Sequence, residues 1–243
     1  MTTPTVPSRA IPIVALDVGS ADDALGLARR LGESCRFYKV GSELFTAAGP
    51  SVVKALRDEG ADVFLDLKLH DIPNTVAGAV RSAARLGVRL LTVHAVGGAA
   101  MLRAAQEAAS SAAAESGCNL LAVTVLTSFD AESLAVAWGR ENVEVEREVV
   151  RLAGEAATAG LHGVVCSGAE AAAVRGTYGD RLALLVPGIR LAGGSSHDQR
   201  RVMTPAAAQA AGASYLILGR AVTAAADPVR AMRTVLSELA TPV

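Results

Sequence analysis

The sequence predicts an α/β protein of one domain, a (β/α)8 TIM barrel, on three observations. Eight short apolar segments recur along the chain, each followed by Ala-, Leu- and charge-rich sequence with helical spacing. Strands that alternate with helices pair in parallel, because each crossover helix returns the chain to begin the next strand in the same direction. A length of 243 residues suits eight such units closed into one barrel better than an open doubly wound sheet.

In chain order the predicted strands are Ile11–Val18, Phe37–Gly41, Val63–Lys68, Leu90–Val96, Leu120–Thr127, Gly163–Ser167, Leu182–Ile189 and Tyr215–Gly219. Residues 1–10 carry Thr, Pro and Ser but no apolar signal core, so they are expected to form a disordered N-terminal segment, with 11–243 as the barrel and no linker. The Ala-rich stretch Ala99–Glu115 resembles low complexity, yet the spacing of Met101, Leu102 and Ala105 against Arg103 and Glu107 suits an amphipathic helix. After Thr127 the next strand is delayed to Gly163, leaving room for an extra short helix near Ala131–Trp138 before a longer one around Glu144–Ala159. Trp138 is expected to pack.

Composition excludes several classes of function. A net charge of −1 with dispersed Lys and Arg offers no basic face to nucleic acid and no polybasic patch to anionic lipid. No apolar stretch approaches the roughly 20 residues that span a bilayer. Cys35, Cys118 and Cys166 are an odd number with no close pair, which predicts reduced, structural thiols and a cytoplasmic protein.

The C-terminal ends of barrel strands carry the chemistry of this fold, and charges there are informative. In Val63–Leu69 alternation sends Asp66 and Lys68 to one face and Leu65, Leu67 and Leu69 to the other. Asp71 follows on a loop that Pro73 terminates. Asp17 stands at the end of the first segment and Lys39 near the end of the second, so four charges of alternating sign meet on three adjacent strands. Each has an ordinary explanation when read alone: a turn-forming Asp17, a snorkelling Lys39, a salt-bridged edge strand for Asp66 and Lys68. Their coincidence points to a site, since isolated charges within doubly buried strands cost several kcal/mol unless paired or used.

The last two segments suggest phosphate. Pro187-Gly188-Ile189-Arg190 and Gly219-Arg220 close them, where barrels commonly hold a phosphate through loop amides and a helix N-terminus. Arginine adds a fixed fork of donors. Between them, Leu191 to Gln199 is rich in Gly and Ser and reads as a lid.

These residues resemble the orotidine 5′-monophosphate decarboxylase family. The resemblance rests on Ala15-Leu16-Asp17, Lys39-Val40-Gly41, Phe64 through Thr75 (FLDLKLHDIPNT), Thr124 through Ser128, Pro187 through Arg190, and Gly219-Arg220, and spans nearly the whole chain. It implies conversion of orotidine 5′-monophosphate to UMP and CO2 without a cofactor or metal. It further implies Lys68 as proton donor, with Asp66 and Lys39 as charged neighbours and Asp17 as a ligand to the sugar. Thr127 would hold the pyrimidine edge, Gln199 would bridge base and phosphate, and Arg190, Gly219 and Arg220 would bind the phosphate. Asp71 and Thr75 would reach a partner subunit's site, which predicts a homodimer. The sequence departs from the family in the lid, where Leu191 stands in place of the usual proline and Ser195-Ser196-His197 varies.

Two other readings remain open at this point. A metal-dependent sugar-phosphate lyase on the same barrel would hold Mg²⁺ with carboxylates, but Lys39 stands where such relatives carry Glu. A non-catalytic nucleotide sensor is the other, because fold alone does not prove activity. Among the histidines, His94 reads as a neutral strand residue hydrogen-bonded in the barrel mouth, His70 as outward of the charged pair, and His162 and His197 as loop residues.

Overall fold

The computed structural model describes residues 7, 9–191 and 203–240, with the backbone alone for 113–116. Eight strands close into a barrel in sequence order: β1 Ile11–Ala15, β2 Phe37–Gly41, β3 Asp62–Leu69, β4 Leu90–His94, β5 Asn119–Val123, β6 Gly163–Val165, β7 Ala183–Val186 and β8 Tyr215–Leu218. Every neighbouring pair is parallel, and β1 meets β8 to complete the ring. The helices among the described residues are α1 Ala21–Leu31, α2 Ser42–Ala48, α3 Pro50–Asp58, α4 Pro73–Ala84, α5 Gly98–Ser116, α6 Ala131–Trp138, α7 Val145–Thr158, α8 Gly168–Tyr178, α9 Pro205–Ala210, α10 Arg220–Thr223 and α11 Pro228–Ala240. The extra helix after β5 falls on the predicted residues. It starts there because Asp130 and Ser133 form a reciprocal capping box, satisfying two backbone donors that a helix start otherwise leaves orphaned.

The strands are shorter at their C-terminal ends than the apolar runs suggest: β1 stops at Ala15, β5 at Val123 and β7 at Val186. Leu16, Val125 and Ile189 are nonetheless buried, so the apolar run continues beyond the ends of the strands. There the backbone turns away to build the mouth of the barrel. β3 runs the other way, longer than expected at both ends.

Two apolar cores hold the structure. The larger lies between barrel and helices and takes Val14, Leu65, Leu91, Leu120, Val164 and Leu184 from the outward strand faces. The smaller fills the barrel with Ile13, Phe37, Phe64, Leu90, Leu121, Leu185, Tyr215 and Ile217. This interior plug makes the barrel solid, as its size requires. Trp138 packs against the outer core as expected.

The floor of the barrel, at the N-terminal strand ends, is a polar network. Asp62 accepts from Arg57 at 3.2 Å and from Arg89 at 2.6 Å, and the Arg89 guanidinium lies 5.2 Å from the Phe37 ring centroid. His162, read from sequence as a loop residue, is buried here, and its Nε2 shares a 3.1 Å hydrogen bond with the Tyr215 hydroxyl. Burial, and to a smaller extent the charge of Arg89, lowers its pKa to about 4.

All three cysteines are buried free thiols, and burial pushes Cys118 and Cys166 up to about 12. Such thiols are poor nucleophiles. No helix among the described residues is long and apolar enough to cross a membrane. The expected disordered N-terminal segment lies mostly outside the described residues.

Candidate active site

Alternate residues of each strand face the barrel axis. On β2 the inward row runs Phe37, Lys39, Gly41, on β3 Phe64, Asp66, Lys68, and on β4 Leu90, Thr92, His94. Phe37, Phe64 and Leu90 belong to the plug. One layer higher, the same rows present Lys39, Asp66 and Thr92. Asp17 joins them from just beyond β1, two residues after the plug residue Ala15.

The four predicted charges meet in a chain of alternating sign. Lys39 Nζ lies 2.7 Å from Asp17 Oδ1 and 3.9 Å from Asp66 Oδ2, and Lys68 Nζ lies 2.8 Å from the same Asp66 oxygen. The inner pair is nearly enclosed, with the Lys39 and Asp66 side chains only 11% and 13% exposed, whereas Lys68 is 37% exposed and faces the opening. A charge so enclosed is tolerated only when opposite charges and hydrogen bonds surround it, and here each buried ion touches at least one counter-ion. Gly41 leaves the room this needs. A Cβ at that position would stand 2.9 Å from the Lys39 ammonium and 3.5 Å from Asp17.

Lys68 has a φ of 50°, the only positive value of a non-glycine among the described residues. Left-handed backbone costs an ordinary side chain about 1 kcal/mol or more and tends to be retained at functional sites. The β3–β4 register slips at this place, between Leu65 and Leu69. Across the slip the fully buried Thr92 hydroxyl accepts from the Lys68 N–H at 2.9 Å and donates to Asp66 Oδ1 at 2.9 Å.

A pocket of about 360 Å³ adjoins the charged chain, lined in part by Asp17, Gly188, Arg190, Gly219 and Arg220. Gly188 takes a φ of 81°, which lets the strand end fold back. Arg190 is buried, and its Nη1 donates to the Ile189 carbonyl at 2.9 Å, while its buried Nε has no hydrogen-bond partner among the described residues. A buried guanidinium edge on the wall of an open pocket suits an anion. Its backbone is fixed by a bridge to the far side of the following connection: Ile189 pairs with Met203, and Arg190 N–H donates to the Met203 carbonyl at 2.9 Å. A larger cavity of about 1060 Å³ lies between α6 and α7, but there Arg140 and Arg151 already pair with Glu148 at 2.5 and 2.8 Å.

A family model described as the orotidine 5′-phosphate decarboxylase / HUMPS family matches residues 11–235. The chain belongs to this family. Orotidine 5′-phosphate decarboxylase of Moorella thermoacetica is 50% identical over 230 residues, covering 93% of this chain and 91% of the relative. That of Halorhodospira halophila is 49% identical over 240 residues, covering 97% and 98%. Among solved structures, the orotidine 5′-phosphate decarboxylase of Lactobacillus acidophilus superposes with a TM-score of 0.85 at 36% identity, covering 96% of this chain and all of that one.

Within this family fold the predicted residues differ in where they lie. Asp17, Lys39, Asp66 and Lys68 come together, and Arg190, Gly219 and Arg220 line the adjoining pocket. Asp71 and Thr75 do not join them within one chain. Both are exposed, and the Asp71 carboxylate accepts from the Ile72 N–H at 2.6 Å rather than contacting Lys68. Thr127 is half-buried on the connection after β5. Gln199 and the expected lid, with His197, lie outside the described residues. His94 fits the neutral reading, since burial first and then His70 and Lys68 hold its pKa below the usual range. Its expected hydrogen bond is not made at Nδ1, which is buried without a partner among the described residues. Thr92 escaped the sequence reading because it carries no charge. The signal was its place between Leu90 and His94 in an inward row beside charged rows.

Proposed function

We propose that the chain decarboxylates orotidine 5′-phosphate to UMP and CO2, the activity named for its relatives, and so supplies UMP in pyrimidine biosynthesis. The observation that carries this reading is one carboxylate, Asp66, flanked by two ammonium groups in a barrel mouth beside an anion pocket. Loss of CO2 from C6 of the orotate ring leaves an sp² carbanion that no ring orbital delocalises. Its stabilisation must come from charge already in place.

Lys68 is the partly exposed member of the charged chain, able to approach C6, stabilise the carbanion and deliver a proton to it. Asp66 orients Lys68 and faces the departing carboxylate, and its repulsion is relieved as neutral CO2 leaves. We assign the larger share to preorganised charge. Lys39 holds Asp66 and Asp17 together, and Asp17 takes the ribose hydroxyls in this reading, a role supported by its position on the wall of the anion pocket. Arg190, Gly219 and Arg220 grip the phosphate, with Gln199 bridging to the base and Thr127 meeting the ring edge. The chemistry needs no cofactor. A metal-dependent reaction has less support, because the Lys39 ammonium lies within reach of both carboxylates that would hold the ion.

Asp71 and Thr75 act across a homodimer in this reading. Ile72 is 67% exposed, and Val96 and Leu126, on the connections after β4 and β5, are exposed beside it in the ring of strand ends. Large apolar side chains on neighbouring loops suit a subunit interface. A fully active monomer would remove this part. Buried reduced thiols accord with a cytoplasmic setting.

The test is direct: purified protein is mixed with orotidine 5′-phosphate, with and without chelator, while orotate absorbance, UMP and CO2 are followed. Equal turnover in both arms is expected. Binding without CO2 would indicate a sensor, and turnover lost to EDTA and restored by Mg²⁺ a metal-dependent lyase.

A further inference from the structure

We infer that Thr92 is a positioning residue of the decarboxylation site, acting through Lys68 and Asp66 without touching substrate; the inference rests on the function proposed above. Between Leu65 and Leu69 β3 advances four residues while β4 advances two, from Leu91 to Val93. A ladder that slips in this way leaves donors of the longer strand without a backbone acceptor. Thr92 stands opposite the slip, and its hydroxyl takes the place of the missing carbonyl for the Lys68 N–H.

The hydrogen-bond directions are fixed by chemistry. A backbone N–H can only donate, so the Thr92 oxygen accepts from Lys68 and its single proton goes to Asp66 Oδ1. The two oxygens of Asp66 are thereby divided. Oδ1 is held by Thr92, and Oδ2 is turned to Lys68 at 2.8 Å and Lys39 at 3.9 Å. One hydroxyl therefore sets both the left-handed backbone from which the Lys68 side chain departs and the rotation of the carboxylate that receives it. Thr92 itself is held from the other side of β4, pairing with Leu121 of β5, and is fully buried.

Thr92→Val keeps the shape and removes both hydrogen bonds, and Thr92→Ser keeps the hydroxyl. In steady-state decarboxylation Thr92→Val should lower kcat about 10- to 100-fold, the range for losing a hydrogen bond to a charged group. KM should move less than about threefold, because the phosphate pocket at β7 and β8 is untouched. Thr92→Ser should stay within about threefold of the parent in both. Should Thr92→Val fail to fold, Thr92→Cys, with its weak thiol donor, should show an intermediate loss of kcat at constant KM. Parent-like kcat in Thr92→Val or Thr92→Cys would overturn the inference, as would a serine variant as slow as the valine one, or a loss confined to KM. A parent protein that releases no CO2 would overturn the decarboxylase reading itself, and this role with it.

Discussion

The mouth and the floor of the barrel both set charges against an apolar plug, but they differ in how completely those charges are used up. On the floor, Asp62 is shared by Arg57 and Arg89, Arg89 lies against Phe37, and His162 is bonded to Tyr215 through Nε2, its buried Nδ1 having no partner among the described residues. At the mouth, Lys68 is half-open to solvent, its backbone is left-handed, and Arg190 keeps a buried donor unmatched among the described residues. Charges paired off among themselves stabilise, whereas cations turned toward an opening, as Lys68 and the pocket arginines are, can meet a ligand. The same plug thus separates an end that maintains the fold from an end that performs chemistry.

If that division is right, changes at the mouth should alter rates and changes at the floor should alter stability. The largest effect is expected from Lys68→Ala, with kcat down by at least about 10³-fold, since both a stabilising charge and the proton donor are lost. Its melting temperature should stay within a few degrees, because Asp66 keeps Lys39 and Thr92 as partners. Turnover surviving this change would move the chemistry elsewhere.

On the floor, pH is the sharper probe. Folding depresses the His162 pKa from 6.5 to about 4, so the neutral imidazole belongs to the native state. Its contribution is whole above pH 6.5 and is lost as pH falls from 6.5 toward 4, by at most roughly 3 to 4 kcal/mol at about 1.4 kcal/mol per unit. Urea titrations at pH 7 and pH 4.5 should reveal this difference, and His162→Gln should flatten it. An identical slope in the variant would assign the acid sensitivity to other groups.

The smallest effect expected is from Gly41→Ala. Its φ of −92° suits any residue, so stability should change by less than about 1 kcal/mol. The added methyl would nonetheless push the Lys39 ammonium, and kcat should fall about tenfold. An unchanged kcat would mean that the Lys39 ammonium yields to the methyl without cost to the site, and unfolding would mean that the room beside Lys39 is needed by the fold itself.

The sequence revealed the barrel because hydrophobic periodicity and length constrain the same answer, and the four charges because doubly buried strands should contain none. Strand ends were less legible. Leu16, Val125 and Ile189 remain buried beyond the ends of their strands, so an apolar run marks the core and not the strand. His162 read as a loop residue because it stands just before β6, and its burial depends on Tyr215, 53 positions away. The inward row of Thr92 was legible, but its contact with Lys68 depends on the register slip, which no local pattern encodes. Asp71 illustrates the opposite case, where sequence assigns a residue to the site and one chain leaves it in solvent.

The bridge between Ile189 and Met203 bears on how such a chain can diversify. It pins the two stems of residues 191–202 one strand spacing apart and fixes the backbone of Arg190 independently of what lies between. Closing a longer connection across fixed stems costs little, about 0.6 kcal/mol per doubling of length. That stretch can therefore be lengthened, shortened or rewritten while the anchoring arginine stays where it is.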